Sequence, residues 1–251
     1  MTPNPILSFD GVTKVFGSGS TETRALDSIT FRVMPGELVA VMGPSGCGKS
    51  TLLHVAGGLE RPTAGQVVTC GRNLGDISLA ALSTMRRCDV GYVFQKLNLI
   101  PSLTAVENVM LPLELDGMNR RQARTQALQA LDEVGLPGVH DRYPDDFSGG
   151  QQQRIAIARA IAGTRKVLLA DEPTGSLDTL AADSVIELLA TLARERGTAV
   201  VLVTHEPRFT AWADRVVYLR DGVVVDEAVM HAHTTAADLD DDVAASAQVR
   251  S

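Results

Sequence analysis

Gly43-Pro44-Ser45-Gly46-Cys47-Gly48-Lys49-Ser50-Thr51 matches the phosphate-binding loop pattern G-x-x-x-x-G-K-[ST]. Its flanks supply the context that pattern needs. Before it, Glu37–Met42 is a short apolar run, as expected of a buried parallel strand. After it, Leu52, Val55, Ala56 and Leu59 fall on one face of a helix that starts at Lys49 and stops near Gly57-Gly58 and Pro62. The glycines let the backbone curl, so that successive N–H groups point at phosphate oxygens, and the helix amino end adds its positive dipole. Lys49 is placed to reach the β- and γ-phosphates, and the Ser50 hydroxyl to ligate Mg2+. The loop therefore predicts nucleotide binding but leaves open what the energy is used for.

Two further apolar strands end in chemistry. Val167–Ala170 runs into Asp171 and Glu172, and Ala199–Val203 runs into Thr204 and His205. Open α/β sheets bind ligands at the carboxyl ends of their strands, so these residues are expected to face the loop. An isolated acid pair at a strand end reads as solvated surface; with a phosphate loop upstream, the reading reverses. In P-loop ATPases the acid at the Asp171 position holds Mg2+, usually through water, and Glu172 is then placed to polarise the attacking water. His205 is expected at the same edge, near the γ-phosphate, whereas His231 and His233 read as solvated.

Working outward, Ile6–Phe16 and Ser28–Met34 read as strands, with Pro35-Gly36 turning the chain into the central run. From about Lys96 to Asp146 the pattern is helical. Thr104–Glu107 fits a capping box, and Arg120–Val134 is amphipathic, with Ala127, Leu128, Leu131 and Val134 inward and Gly135 as its stop. Leu180–Arg196 predicts a helix with Val185, Leu188, Leu189 and Leu192 inward. Arg215–Arg220 and Val223–Val225 flank Asp221-Gly222, a strong hairpin signal. Residues 234–251 are mostly Ala, Asp and Ser and are expected to be disordered.

Composition narrows the classes. The chain has 251 residues, 45% hydrophobic and 21% charged, which fits a globular domain with a core. Its net charge of −7 gives no support to a nucleic-acid surface, so no nucleic-acid partner is expected. Cys47, Cys70 and Cys88 have neither paired spacing nor a histidine cluster, which points to a reducing compartment without a disulfide framework or zinc site. Neither a signal peptide nor an apolar run of the ~20 residues that span a bilayer is evident, so any membrane role is expected to come through a partner.

Phe147-Ser148-Gly149-Gly150-Gln151-Gln152-Gln153-Arg154 resembles the signature of ATP-binding-cassette ATPases, with Phe147 in place of the family's leucine. Ser148 and two glycines precede a helix, whose amino end is again suited to a phosphate. Other elements fall in the family's order from about Leu7 to Val225. Phe16 stands where the family has a tyrosine that stacks on adenine. Gln95 resembles the glutamine that contacts Mg2+ and lies against the membrane partner. Ser176-Leu177-Asp178 resembles the loop along the dimer seam, and His205 the switch histidine.

The resemblance implies an α/β fold: a P-loop NTPase (RecA-like) core, an N-terminal antiparallel β subdomain and an inserted α-helical subdomain. Residues 1–233 would form the nucleotide-binding domain, with the insertion at about 96–160 and a tail at 234–251. The implied cofactors are ATP and Mg2+, and the implied activity is ATP hydrolysis. Two copies would pack head to tail, each ATP lying between one loop and the other copy's Ser148–Gln151. Arg24-Ala-Leu-Asp27, Gly91-Tyr-Val-Phe-Gln95, Val106-Glu-Asn-Val109 and Asp171-Glu-Pro-Thr-Gly175 are similar to the branch serving permeases of the MacB, lipoprotein-release and FtsX type. That implies an integral membrane permease as partner and a place on the cytoplasmic face of the membrane. The rival is a soluble cassette of DNA-repair or translation-factor type. The first carries a long coiled coil before the signature and the second two fused cassettes, and neither is present here. A nucleotide-sensing scaffold would have no need of Glu172 and His205.

Overall fold

Leu38–Met42 (β3) is apolar and buried at every position, a pattern that suits a strand covered on both faces. Its residues alternate between two cores. Leu38, Ala40 and Met42 face one filled by helices, while Val39 and Val41 face one closed by a second sheet. Full burial of each Val or Leu contributes about 1.5–3 kcal/mol, so the strand is anchored from both sides.

The computed structural model describes residues 4–230. The 234–251 tail, His231 and His233 lie outside the described residues. A six-stranded sheet has the order β10-β9-β3-β8-β7-β6, built from β6 (Val90–Val93), β7 (Val167–Asp171), β8 (Ala199–Val203), β9 (Arg215–Arg220) and β10 (Val223–Val229) around β3. All neighbours are parallel except β9 and β10, which close as a hairpin through Asp221 and Gly222, both at positive φ. A smaller antiparallel sheet has the order β2-β1-β4-β5, from β1 (Leu7–Phe16), β2 (Thr23–Val33), β4 (Ala64–Thr69) and β5 (Arg72–Asn73). Phe9 and Phe31 stack at 4.9 Å on its inner face.

Among the described residues six α-helices flank the sheets: α1 (Lys49–Ala56), α2 (Leu79–Cys88), α3 (Ala105–Leu115), α4 (Arg120–Glu133), α5 (Gly149–Ile161) and α6 (Thr179–Arg196). Between β6 and β7, helices α3, α4 and α5 pack on one another around Val106, Val109, Ala127, Leu131, Ile155 and Ile157. The capping box predicted at Thr104 is present: its hydroxyl accepts from Glu107 N while Glu107 Oε2 accepts from Thr104 N at 3.0 Å.

Three expectations need correction. Leu59 is not on the buried face of α1; the helix ends at Ala56, and Leu59 lies beyond it, 43% exposed. β2 begins at Thr23 rather than Ser28, because its first residues are held by backbone pairing, Phe16 to Thr23 and Val15 to Arg24, rather than by apolar burial. Leu128 and Leu188 are half-buried where full burial was expected.

Candidate active site

β3 ends at Met42, and the chain turns through the loop into α1 at the sheet's carboxyl edge. Two glycines are fixed there by their surroundings. A Cβ on Gly43 would lie 2.0 Å from Leu219 O, and one on Gly48, at φ 107°, would lie 2.3 Å from Ala25 O. The loop is thus clamped between β9 and β2. Gly222 N donates to Cys47 O at 3.0 Å, tying the β9–β10 hairpin to the loop as well. Lys49 is 6% exposed, and its Nζ donates to Gly43 O at 2.8 Å and Pro44 O at 2.9 Å, so the cation sits within the curl of the loop.

The predicted acids meet this loop. Ser50 Oγ donates to Asp171 Oδ1 at 3.2 Å. Burial pushes the Asp171 carboxyl up from its ordinary value, and the neighbouring Glu172 adds to this, while the Ser50 hydroxyl and more distant His54 and Lys49 oppose it. Glu172 holds φ 44°, a left-handed conformation that a non-glycine residue adopts at a cost. Its Oε2 accepts from Gln95 Nε2 at 3.2 Å, and its Oε1 lies 3.4 Å from His205 Nδ1. Gln95, Glu172 and His205 come from the ends of β6, β7 and β8, three adjacent strands of the sheet.

A cleft runs over the loop, lined by Thr23, Arg24, Ala25, Ser45, Gly46, Gly48, Lys49, Ser50, Thr51, Gln95 and Glu172. Thr23 to Ala25 were not foreseen as part of the site. In the structure Thr23 and Arg24 pair with the end of β1, which carries Phe16. Phe16 is 39% exposed, with Lys14 Nζ 4.7 Å from its ring centre.

The remaining predicted residues stand apart. Ser148 caps α5, its hydroxyl accepting from Gln151 N while Gln151 Oε1 accepts from Ser148 N at 3.1 Å. The α5 amino end rests against α6 and the loop before it, where a Cβ on Gly150 would meet Ala181 at 3.2 Å and one on Gly149 Leu177 at 3.8 Å. Asp178 caps α6, accepting from Ala181 N at 3.0 Å. None of Ser148, Gly149, Gly150, Gln151 or Asp178 lines the cleft.

The donor set fits a nucleotide with a hard cation. Mg2+ takes oxygen ligands and commonly uses one or two protein groups beside phosphate and water. The Ser50 hydroxyl and the Asp171 carboxylate are such a pair, with the Gln95 amide at the same edge. Among the described residues no cluster of three His, Cys, Asp or Glu could hold a metal alone, and a Mg2+ sharing its ligands with phosphate and water would have no need of one.

Residues 26–175 match the sequence pattern of the ABC transporter family. The chain belongs to that family. It is 46% identical over 211 residues to the lipoprotein-releasing system ATP-binding protein LolD of Koribacter versatilis, covering 84% of this chain and 95% of that protein. The LolD of Geobacter metallireducens is 45% identical over 220 residues, covering 88% and 98%. An uncharacterized ABC transporter ATP-binding protein of Mycobacterium tuberculosis is 43% identical over 225 residues, covering 90% and 91%. The solved dimer of the ATP-binding cassette MJ0796, in a post-hydrolysis state bound to ADP and Pi, superposes with a TM-score of 0.83 at 39% identity, covering 90% of this chain and 100% of that one. The fold is that of an ABC cassette, and the chain is an ATP-binding ABC transporter subunit that couples ATP hydrolysis to transport. No helix among the described residues is long and apolar enough to cross a membrane.

Proposed function

We propose that this cassette hydrolyses ATP at two composite sites of a head-to-tail homodimer and so drives a separate membrane permease of the MacB, lipoprotein-release or FtsX type. The observation that carries this reading is a division of the site. The loop, Asp171, Glu172, Gln95 and His205 gather at one sheet edge, while the capped amino end of α5 lies elsewhere on the same chain. A second copy is the natural source of the missing half. The dimeric state of MJ0796 and the lipoprotein-releasing role of the LolD relatives support the same reading.

Each residue then has a task. Phe16 stacks on adenine. Gly43, Pro44, Ser45, Gly46, Cys47, Gly48 and Thr51 shape or line the phosphate cradle, and Lys49 leaves its carbonyl partners to meet the β- and γ-phosphates. Ser50, Asp171 and Gln95 would hold Mg2+, which supplies positive charge against the phosphates when bound. Glu172 accepts a proton from the attacking water, oriented by Gln95 and His205. Ser148, Gly149, Gly150 and Gln151 of one copy meet the γ-phosphate held by the other, and Asp178 lies along the seam. The γ-phosphate contacts both copies only when they are closed, which is the differential interaction a switch requires.

In this reading residues 1–233 form one nucleotide-binding domain, with a helical insertion at about 96–160. The permease would sit against the apolar groove beside β6, whose wall includes Leu59 and Leu115, 43% and 65% exposed. That contact would place the chain at the cytoplasmic face of the membrane. Glu172→Gln is the direct test. The variant should bind ATP, lose turnover and run as a dimer on size exclusion with ATP. Turnover at the wild-type rate would remove Glu172 from the role of base.

A further inference from the structure

Arg165, in the link from α5 to β7, is 9% exposed, and its Nε is buried with no hydrogen-bond partner. Nearby carboxylates are already taken. Asp89 is paired with Arg72 at 2.9 Å and Lys166 at 3.2 Å; Asp116 is paired with Arg87 at 3.5 Å and accepts from Cys88 Sγ at 3.1 Å. Among the described residues, therefore, this guanidinium makes no direct ion pair, and Asp116 and Asp89 act on it only from beyond contact distance. A buried charge without such a pair is costly, and an incoming carboxylate relieves that cost.

The same arginine helps wall the apolar groove, alongside Leu59, Tyr92, Phe94, Leu111 and Leu115. Two other arginines line it, and both are engaged. Arg86 donates to Gly58 O at 2.7 Å and Ser83 Oγ at 3.0 Å, and Arg159 donates to Asn98 O at 2.7 Å and Leu97 O at 2.6 Å. Among the described residues no Asp or Glu lines the groove. The Tyr92 hydroxyl on its wall is a second buried polar group without a partner. The groove thus combines apolar surface, an excess of positive charge and two unmet polar groups.

We infer that the permease segment entering this groove presents apolar side chains together with one carboxylate, and that Arg165 is the residue that selects it. The inference rests on the groove being the permease contact, and the test separates the two claims. The probes are short fluorescent peptides with one apolar face and a single central Glu, Gln or Lys, titrated into the full chain by anisotropy. The Glu peptide should bind at least about tenfold tighter than the Gln peptide, with the Lys peptide weakest. Arg165→Gln should abolish that ranking, leave the Gln peptide's affinity unchanged and keep basal ATPase activity. Leu115→Gln should weaken all three peptides. Equal binding of the three peptides to wild type, with Leu115→Gln still weakening them, would overturn the carboxylate and leave the groove standing. No binding of any peptide would overturn the groove reading, and the selection by Arg165 with it.

Discussion

Glu172 holds φ 44° while accepting a hydrogen bond from Gln95 Nε2 and facing His205, and left-handed non-glycine backbone costs about 1–3 kcal/mol. The strain aims the carboxylate along the sheet edge instead of continuing β7. Glu172→Gly should therefore lose turnover yet melt no lower than wild type by calorimetry; a clearly lower melting temperature would show that no strain is stored there. Lys49 presents a different balance. Its two carbonyl partners hold the loop curled, so Lys49→Ala removes both that clamp and the charge meant for phosphate. ATP affinity measured by titration calorimetry should fall at least about tenfold, as for loss of a charge-assisted contact. The cysteines give a prediction independent of nucleotide. Burial, reinforced by Asp89, pushes the Cys70 thiol up to about 11. Only the thiolate reacts, so alkylation of Cys70 should be slow at neutral pH and accelerate until the pH nears 11, followed by peptide mass spectrometry.

Elements differed in how openly the sequence declared them. β3, β7 and β8 are runs of apolar residues buried at every position, and such runs admit few other readings. The helix α2 was not anticipated, because only Leu82 and Met85 along it are buried and two residues make no period. β4 was missed for a related reason: its first three residues, Ala64, Gly65 and Gln66, are exposed and are held by pairing with β1. The phosphate loop was legible from spacing, since its residues are contiguous. Glu172 and His205 were legible as the ends of apolar strands at one sheet edge, whereas Gln95 follows a short strand with no such signal and only the family resemblance pointed to it. Caps, by contrast, are local and readable. Thr104→Ala should destabilise the chain by about 1 kcal/mol at neutral pH through loss of the α3 cap. Hydrogen bonds from Thr104, the backbone donor first, hold the Glu107 carboxyl below its ordinary 4.5, so its contribution is complete above that pH. It is lost as the pH falls through the lowered value; the variant keeps the backbone donor, so the gap between wild type and variant should narrow in acid denaturation curves only by the hydroxyl's share.

At the scale of the whole molecule, the two halves of the proposed site lie in one chain but not in one place. The loop sits at the carboxyl edge of β3, and the signature caps α5 against α6. A symmetric pair in which each half meets its complement makes two equivalent sites, and that geometry can be tested by complementation. In the proposed arrangement Ser148→Arg would spoil the signature and spare the loop, and Glu172→Gln would spoil the base and spare the signature. Each homodimer should then have two dead sites. A mixed dimer has one site with both defects and one with neither, because the sound loop of the Ser148→Arg subunit faces the sound signature of its partner. Equal mixing before ATP is added makes about half the dimers mixed, so turnover should recover to about a quarter of wild type if the two sites act independently. A site completed within one chain predicts no recovery at any mixing ratio, since every subunit then carries its own defect. The phosphate-release rate of the mixture, read against each variant alone, decides between the two arrangements.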